Sequence, residues 1–277
     1  MNIPNISNAQ AKLIRSLKIK KYRDESRCFV AEGRKCISEL LARFQPRLLV
    51  VRGDAPLLDG FRDVVRTDER QMTQLSSLVT PTDYLAVFRL PADLSDEQTL
   101  PNRILALDGI QDPGNLGTII RTCDWMGFNT ILCSHQTADC YASKVVQATM
   151  GALARVQLIY TDLPHTLDSL QQQGYQIVGT TLDGDNLYTA AALHNADKAV
   201  IVMGNEGSGI TSEVAALLTH RVTIPAFSPD HVESLNVSIA TAILLSEIQR
   251  ATLFQLSTLN YKTSLNFSQQ STINSKL

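Results

Sequence analysis

The residues of this 277-residue sequence that can do chemistry fall in three loops, and the first loop leads into a helix that carries an arginine. Asn115 stands where it can cap that helix, which leaves free backbone N–H groups facing the loop. Arg121 follows Gly117 by about one helical turn, and a guanidinium there can clamp a phosphate with two parallel hydrogen bonds. Taken alone, such a loop is more often an ordinary strand-to-helix turn with a surface arginine.

The second loop holds three glycines, Gly204, Gly207 and Gly209, after an apolar run. Glycine permits close backbone approach to a ligand and positive φ, but this glycine order is not the G-x-G-x-x-G of dinucleotide-binding folds. Glu206 within the loop would repel a pyrophosphate. The loop therefore favours a ligand with hydroxyl groups or positive charge, and S-adenosylmethionine has both.

The third loop starts at Ile224-Pro225 and ends at Ser234-Leu235-Asn236, just before a predicted helix of small residues. Asn236 either caps this helix or holds a substrate hydroxyl or an arginine with its amide. His231 in the same loop suggests an acid–base role, but a lone histidine is weak support for one.

Short apolar runs alternate with helical segments from Ile104 onwards, which predicts an α/β fold with a mostly parallel sheet. Sheets of this kind bind ligands at the carboxyl ends of their strands. The predicted strands are Ile104–Leu107, Thr130–Cys133, Gln176–Gly179, Ala199–Met203 and Val222–Ile224. The predicted helices are Leu116–Met126, Ser143–Leu153, Thr166–Gln173, Ser212–Leu218 and Val237–Arg250.

The first part of the chain reads as a separate, small α/β unit. Its predicted elements are a basic amphipathic helix at Asn8–Lys21, a strand at Cys28–Val30, a helix at Gly33–Leu41, and strands at Leu48–Val51 and Leu85–Phe88. The sequence thus divides into an N-terminal domain at 1–95, a proline-bounded linker at 96–102, a second domain at 103–254, and a polar tail at 255–277 that we expect to be disordered.

Charge is distributed unevenly. Residues 1–50 hold eleven of the 25 lysines and arginines but only four acids, a net charge of +7 on a chain of net charge −2. A basic segment on an otherwise acidic chain indicates a polyanion-facing surface or, equally, a solvated helix face. The five cysteines have no zinc-ligand spacing, which favours reduced thiols in a cytoplasmic protein and no metal. We see neither a signal peptide nor a membrane span.

Together the three loops resemble the SpoU family of RNA 2′-O-ribose methyltransferases, within the SPOUT class. The matching segments are Asn115-x-Gly117-x-x-x-Arg121, Gly204-Asn-Glu206-Gly207-x-Gly209, and Ile224-Pro225 with Ser234-Leu235-Asn236-Val237-Ser238. The N-terminal segments Ser7-Asn8, Arg27, Phe29-Val30 and Glu32-Gly33 are similar, more loosely, to the RNA-substrate domain of ribosomal-RNA members. One departure is the stretch from Ile224 to Glu233, which is longer than the family's usual loop and lacks its glycine.

The resemblance implies a C-terminal SPOUT domain with a deep trefoil knot, an N-terminal RNA-binding domain, and a homodimer. It implies S-adenosylmethionine bound in the knot, and it implies roles for individual residues. The catalytic set is Arg121, Glu206, Ser234 and Asn236, and the cofactor-binding set is Gly204, Asn205, Gly209, Ile224, Leu235 and Thr180. The RNA-binding set is Asn115, Arg121, Lys12, Arg15, Lys18, Lys20, Lys21, Arg23 and Arg27.

The expected reaction is methylation of a ribose 2′-hydroxyl in structured RNA. Since a guanidinium keeps its proton at neutral pH, we expect Arg121 to bind the adjacent phosphate and stabilise the developing alkoxide rather than act as the base. Asn236 and Ser234 would orient Arg121 or the ribose, and Glu206 would fix their hydrogen bonds.

Three other functions share part of this sequence pattern. The first keeps the chemistry but places it on transfer RNA, and the basic N-terminal segment favours ribosomal RNA over it. The second is an RNA-binding assembly factor with an inactive methyltransferase fold, which the intact motif residues disfavour. The third, a nicotinamide-dependent oxidoreductase, fails on the order of the glycines.

Overall fold

The computed structural model describes residues 3–91, 100–190, 196–228, 230 and 232–253. They form two sheets, one of four strands and one of six. Residues 96–99 of the predicted linker, His231 and the predicted tail at 255–277 lie outside the described residues.

The N-terminal sheet has the order β1-β4-β2-β3. The strand β4 pairs antiparallel with β1 and β2, and β3 lies parallel to β2 at the edge. Its elements are α1 (Asn8–Ser16), α2 (Lys20–Ser26), β1 (Cys28–Glu32), α3 (Arg34–Leu40), β2 (Pro46–Arg52), β3 (Val64–Thr67), α4 (Glu69–Leu75) and β4 (Tyr84–Arg89). The predicted strands at Cys28, Leu48 and Leu85 are present, whereas β3 and α4 were not predicted.

The basic helix predicted over Asn8–Lys21 is wrong in one respect, because it is two helices. The first helix starts with a capping box in which Ser7 and Gln10 satisfy each other's backbone groups. This helix ends at Ser16, and the residue that follows, Leu17, is buried. Ile19 then takes an extended conformation before α2 begins. The break allows Ile14 and Leu17 to reach the core while the second helix runs in a new direction.

The C-terminal sheet has the order β10-β8-β9-β5-β6-β7, and all five neighbouring pairs are parallel. The predicted mostly parallel sheet is therefore confirmed. Its strands are β5 (Arg103–Asp108), β6 (Thr130–Ser134), β7 (Gln157–Thr161), β8 (Gln176–Asn186), β9 (Ala199–Gly204) and β10 (His220–Thr223). Its helices are α5 (Pro113–Met126), α6 (Ser143–Thr149), α7 (Leu163–Gln172), α8 (Ser212–Ala215) and α9, which covers residues 237–253, with a 3₁₀ turn at Ala152–Ala154.

The two sheets share one hydrophobic core, which passes from the N-terminal unit into α5 and α6. At its centre the ring of Phe29 lies 5.0 Å from those of Phe44 and Tyr141. Polar contacts cross the same boundary. Arg23 Nη2 lies 2.6 Å from Asp139 Oδ2, and Arg43 Nη1 donates to the carbonyl of Val156 at 2.9 Å. The N-terminal unit is therefore packed against α6 and the segments on either side of α6.

All five cysteines are free thiols in the interior. Burial raises the pKa of Cys36 to about 11 and raises the pKa of Cys123, Cys133 and Cys140 further. Cys36 lies on the boundary between the two units, where its sulfur is 3.8 Å from the carbonyl oxygen of Val146.

Candidate active site

The three predicted loops meet at the carboxyl edge of the C-terminal sheet. Since β5 and β9 are neighbours, with Asp108 in register with Gly204, the loops that follow them emerge side by side. Asn205 Nδ2 donates to the carbonyl of Gly109 at 2.7 Å and ties the two loops together. The loop after β6 joins them, because Ser134 Oγ accepts from the Gly109 N–H at 2.9 Å.

The glycine loop is closed on itself. Asn205 and Gly209 exchange two backbone hydrogen bonds of 2.9 Å. A Cβ on Gly204 would lie 2.3 Å from the backbone carbon of Gly209, and Gly209 itself has φ +70°, so both positions require glycine. Beneath the loop the buried carboxylate of Asp108 accepts from the N–H and the hydroxyl of Thr211, each at 2.8 Å. Sequence reasoning missed Asp108, which directly follows the predicted strand Ile104–Leu107.

Three motif residues, one from each loop, form a chain of hydrogen bonds that we call the amide relay. Asn115 Nδ2 donates to Glu206 Oε1, and Asn236 Nδ2 donates to Asn115 Oδ1 at 3.0 Å. Asn236 Oδ1 then accepts from the N–H of Ser238 at 3.0 Å and from its hydroxyl at 2.6 Å. A carboxylate is thus joined to the start of α9 through two amides.

The expected cap of α5 is wrong. The N-terminal cap is Asp112, whose carboxylate accepts from the Asn115 N–H at 2.8 Å, and Pro113 occupies the first turn. The Asn115 side chain is therefore free to enter the relay. The capping role considered for Asn236 is confirmed, and its amide reaches Asn115 rather than Arg121.

Arg121 is exposed on α5, and its side chain has no hydrogen bond or ion pair within the described residues. Gly117, four residues earlier, is buried where α5 crosses α6, and a Cβ there would lie 2.3 Å from Ala148 Cβ. The glycine of the first motif thus serves helix contact, while the guanidinium faces solvent. Ser234 is also exposed, and no hydrogen bond holds it to Arg121.

The residues expected to hold the cofactor divide into two groups. Ile224 is half-buried against the main core and Leu235 is exposed beside the relay, so both offer apolar surface at this edge. The Thr180 hydroxyl donates to the Val202 carbonyl at 3.1 Å, whereas the Asn205 side chain is used inside the glycine loop. The side chain of Asn205 holds the loop in shape, and a contact between Asn205 and the cofactor stays a prediction.

One polar atom next to Thr180 in the sequence has no partner among the described residues. The hydroxyl oxygen of Thr181, on β8, is buried there and makes no hydrogen bond. A buried hydroxyl without a partner is costly unless a ligand supplies one. Together with Ile224 and Leu235, it fits a ligand with both apolar and hydrogen-bonding parts, as S-adenosylmethionine has. The adjacent Thr180-Thr181 pair was the sequence signal for this position.

The basic residues of the N-terminal unit differ in their availability. Arg23 is withdrawn from the RNA-binding set, since its side chain is only 4% exposed and is held by Asp139 and the Leu17 carbonyl. Lys20 and Lys21 are exposed but pair with Asp24 and Glu25 one turn later.

Four further members of the predicted set remain at the surface. Lys12 and Arg15 are exposed on α1, Lys18 Nζ donates to the Ser76 carbonyl at 2.8 Å, and Arg27 donates to the Pro91 carbonyl. Sequence alone gave all these cations equal weight, because the partners of Arg23 and Lys18 are distant in the chain.

Within the part of the chain that the structure describes, no three His, Cys, Asp or Glu side chains are grouped so that they could hold a metal ion. No helix in that part combines the length and apolarity needed to cross a bilayer.

Comparison with known proteins identifies the class. The family model of the SpoU rRNA methylases matches residues 102–246, and that of the MRM3-like substrate-binding domain matches residues 8–86. The chain therefore belongs to the SpoU rRNA methylase family.

Individual relatives span both units. The 23S rRNA (guanosine(2553)-2′-O)-methyltransferase RlmP of Bacillus subtilis is 26% identical over 252 residues, 89% of this chain and 98% of the relative. A solved structure of a putative RNA methyltransferase of the TrmH family from Porphyromonas gingivalis is 43% identical, with TM-score 0.79, covering 88% of this chain and 98% of that one. An AdoMet-bound rRNA methyltransferase from Sinorhizobium meliloti is 29% identical, with TM-score 0.73, covering 90% and 97%.

Proposed function

We propose that this protein transfers a methyl group from S-adenosylmethionine to a ribose 2′-hydroxyl of structured RNA, with ribosomal RNA as the preferred substrate. The observation that carries the proposal is the amide relay, which joins one residue from each of the three family motifs. The exposed Arg121 lies on α5, the helix whose first turn holds Asn115. The relative RlmP is named for the same reaction on 23S rRNA, and the Sinorhizobium meliloti relative was solved with AdoMet bound.

The cofactor supplies an electrophilic methyl group on a sulfonium, so the chain's own residues have to place and activate the hydroxyl. Ile224, Leu235 and the Thr181 hydroxyl offer the surface that would receive the cofactor. Arg121 binds the phosphate next to the target ribose and stabilises negative charge that develops on the 2′-oxygen. Holding the hydroxyl in line with the transferred group lowers the barrier by several kcal/mol, on the order of what positioning supplies in other enzymes.

The relay fixes the framework for this placement. Glu206 orients Asn115, and Asn115 orients Asn236 at the start of α9. Asn115 therefore acts as a positioning residue, and Ser234, exposed two residues before Asn236, is free to contact the ribose.

The proposal is tested by incubating the protein with tritium-labelled S-adenosylmethionine and protein-free 23S ribosomal RNA, with a transfer RNA pool as the second substrate. We expect label in 23S RNA, at 2′-O positions resistant to alkaline cleavage. Arg121→Ala should lower turnover at saturating RNA by about 100-fold or more, as loss of a charge-stabilising donor does elsewhere. Arg62→Ala, another exposed arginine without a partner in the described part of the chain, is the control.

Methylation of transfer RNA in place of 23S RNA would show that ribosomal RNA is not the preferred substrate. The absence of label in both RNAs would refute the activity. Full turnover of Arg121→Ala would refute the role of Arg121.

We also propose that the protein is a homodimer through α5 and α9. These helices lie side by side, since Asn115 meets Asn236 at one end and the Met126 carbonyl accepts from Gln249 at the other. Large apolar side chains stand exposed on them, with Trp125 86% and Ile239 51% accessible. Aromatic residues are enriched at the centres of interfaces, so the exposure of Trp125 in a single chain favours its burial in a dimer.

We propose three further properties of the chain: a knot, two domains and a cytoplasmic location. A trefoil knot in the C-terminal unit is supported by the match of residues 102–246 to the SpoU family model. The domains at 1–95 and 103–254 are supported by the two separate sheets. A cytoplasmic location is supported by the five unpaired cysteines.

A further inference from the structure

The positive charge of the three cations on α2 is largely compensated in the folded chain. Lys20 pairs with Asp24 at 2.8 Å, Lys21 lies 3.9 Å from Glu25, and Arg23 is buried against Asp139. A polyanion gains little by approaching cations that already hold carboxylates.

Among the exposed cations that make no hydrogen bond or ion pair within the residues that the structure describes, four lie between the N-terminal unit and the candidate active site. They lie on three helices that are neighbours in space. Arg34 and Lys35 are on α3, Lys144 is on α6, and Arg121 is on α5. We call these four residues the free-cation track.

Contacts between the helices make the track continuous. Cys36, which follows Lys35, places its sulfur 3.8 Å from the carbonyl of Val146, two residues after Lys144. Helix α6 in turn crosses α5 at Gly117, against Ala148. Lys144 is one turn before this crossing on α6 and Arg121 one turn after it on α5, so their backbones are within about 15 Å of each other.

Three carboxylates on α3, on α5 and in the loop before α6 are held by other cations. Arg155 lies 2.6 Å from Glu39 of α3 and 2.8 Å from Asp124 of α5. Asp139, in the loop before α6, is held by Arg23. The surface between the N-terminal unit and the candidate active site therefore keeps an uncompensated positive charge.

We propose that one strand of the substrate RNA follows the free-cation track, with phosphates on Lys35 and Lys144, and reaches the site at Arg121. This inference rests on the proposed function, because Arg121 marks the site of methyl transfer. Lysine and arginine contacts to phosphates supply sequence-independent affinity and fix the orientation of the nucleic acid. The track would align the RNA, and residues at the site would select the nucleotide.

The test measures binding of protein-free 23S ribosomal RNA to the full chain at a series of KCl concentrations. Each lost phosphate contact lowers the slope of log affinity against log salt by about 0.7 to 0.9. For the double variant K35Q/K144Q we therefore expect a slope smaller by about 1 to 2, with weaker binding at low salt. Calorimetric affinity for S-adenosylmethionine should stay close to that of the unchanged chain, which shows that the double variant is folded.

Lys198→Gln is the matched control. This lysine directly precedes β9, at the amino edge of the sheet opposite the site, and lies 5.2 Å over the ring of Tyr175. Its replacement should leave the salt slope unchanged.

The outcomes separate the two proposals. If the unchanged chain methylates RNA but K35Q/K144Q keeps its full salt slope, the track is wrong and the function stands. An equal loss of slope in Lys198→Gln would also overturn the track. If the double variant loses slope but the unchanged chain transfers no methyl group to RNA, the track stands as an RNA-binding surface and the proposed activity fails.

Discussion

The carboxylate of Glu206 decides which way the Asn115 amide faces, because only an N–H of that amide can donate to it. The Asn115 oxygen must then face Asn236, whose own amide is oriented in turn and caps α9. A single charged group thus sets two side-chain orientations and connects three loops that are far apart in the sequence.

A pair of substitutions at Glu206 tests the relay. Glu206→Gln keeps an oxygen that can accept from Asn115, so we expect kcat to fall only on the order of fivefold, the effect of losing charge assistance. Glu206→Ala leaves the amide without its acceptor, and the loss of a hydrogen bond to a charged group is about 1.5 to 3 kcal/mol, or roughly 10- to 150-fold. Methyl transfer at saturating RNA and cofactor is the measurement. Equal losses in both variants would show that charge, and not orientation, is what the site requires.

At this scale the sequence located the site but not its connections. Arg121, Glu206 and Asn236 were placed together by motif order, and the structure brings their loops to one edge. Asn115 and Asp112 are both suited to a cap, and Pro113, a residue favoured at the first helical position, distinguishes Asp112 as the cap.

At the scale of elements, the glycine loop explains why β9 can turn sharply into a ligand-facing loop. Its backbone doubles back so closely that Gly204 touches Gly209 and Ile210. Only a residue without a side chain fits there.

Two alanine substitutions in this loop should therefore have opposite outcomes. Gly204→Ala inserts a methyl group against backbone at 2.3 Å, and we expect a loss of about 1 to 3 kcal/mol in the free energy of unfolding, together with loss of methyl transfer. Gly207→Ala meets only the Asn205 amide oxygen at 3.5 Å and should unfold at nearly the unchanged temperature. Thermal denaturation of both variants decides, and a Gly204→Ala protein as stable as the unchanged chain would contradict the geometry.

Elements with a continuous apolar run were predictable, whereas those without one were not. The strands β5, β6 and β9 are almost fully buried and were recognised from such runs. At the sheet edge, β7 is only half-buried along its whole length, and its sequence Gln-Leu-Ile-Tyr-Thr mixes polar and apolar residues. The short β3 and α4 gave too few periodic positions to be identified.

At the scale of the whole molecule, a buried ion pair attaches the N-terminal unit to the loop before α6. Arg23 Nε and Nη2 both donate to Asp139 Oδ2, while Asp139 Oδ1 accepts from the Tyr141 N–H at 2.9 Å. The adjoining Ala138 N–H donates to the Ile110 carbonyl at 2.8 Å, close to the start of α5. The N-terminal unit and the candidate active site are therefore connected by a few short polar contacts.

Removing one partner of this pair should destabilise the fold. Arg23→Ala leaves Asp139 uncompensated in the interior, which typically costs about 3 to 5 kcal/mol, whereas Lys20→Ala breaks only an exposed pair and should cost less than about 0.5 kcal/mol. Denaturant unfolding measures both. In R23A/D139A the loss should be smaller than the sum of the single losses, and strictly additive losses would show that the two groups do not interact.

Dimerisation can be followed through Trp125, the single tryptophan of the chain. In one chain it is 86% exposed, so its fluorescence should be that of a solvated indole when the protein is dilute. Association through α5 and α9 would cover the ring and shift the emission to shorter wavelength with rising concentration. Sedimentation velocity over the same range provides the independent measure. A chain that sediments as a dimer while Trp125 stays solvated would place the interface elsewhere.

The buried thiols make the folded protein poorly reactive towards alkylating reagents. Since only a thiolate reacts readily with an alkylating reagent, and burial raises the pKa of Cys36 to about 11, iodoacetamide should scarcely modify the folded chain. Cys36 becomes reactive only when α3 lifts away from Val146. The rate at which Cys36 is alkylated, measured by mass spectrometry, would therefore report how often the N-terminal unit separates transiently from the rest of the chain. This measurement requires no mutation.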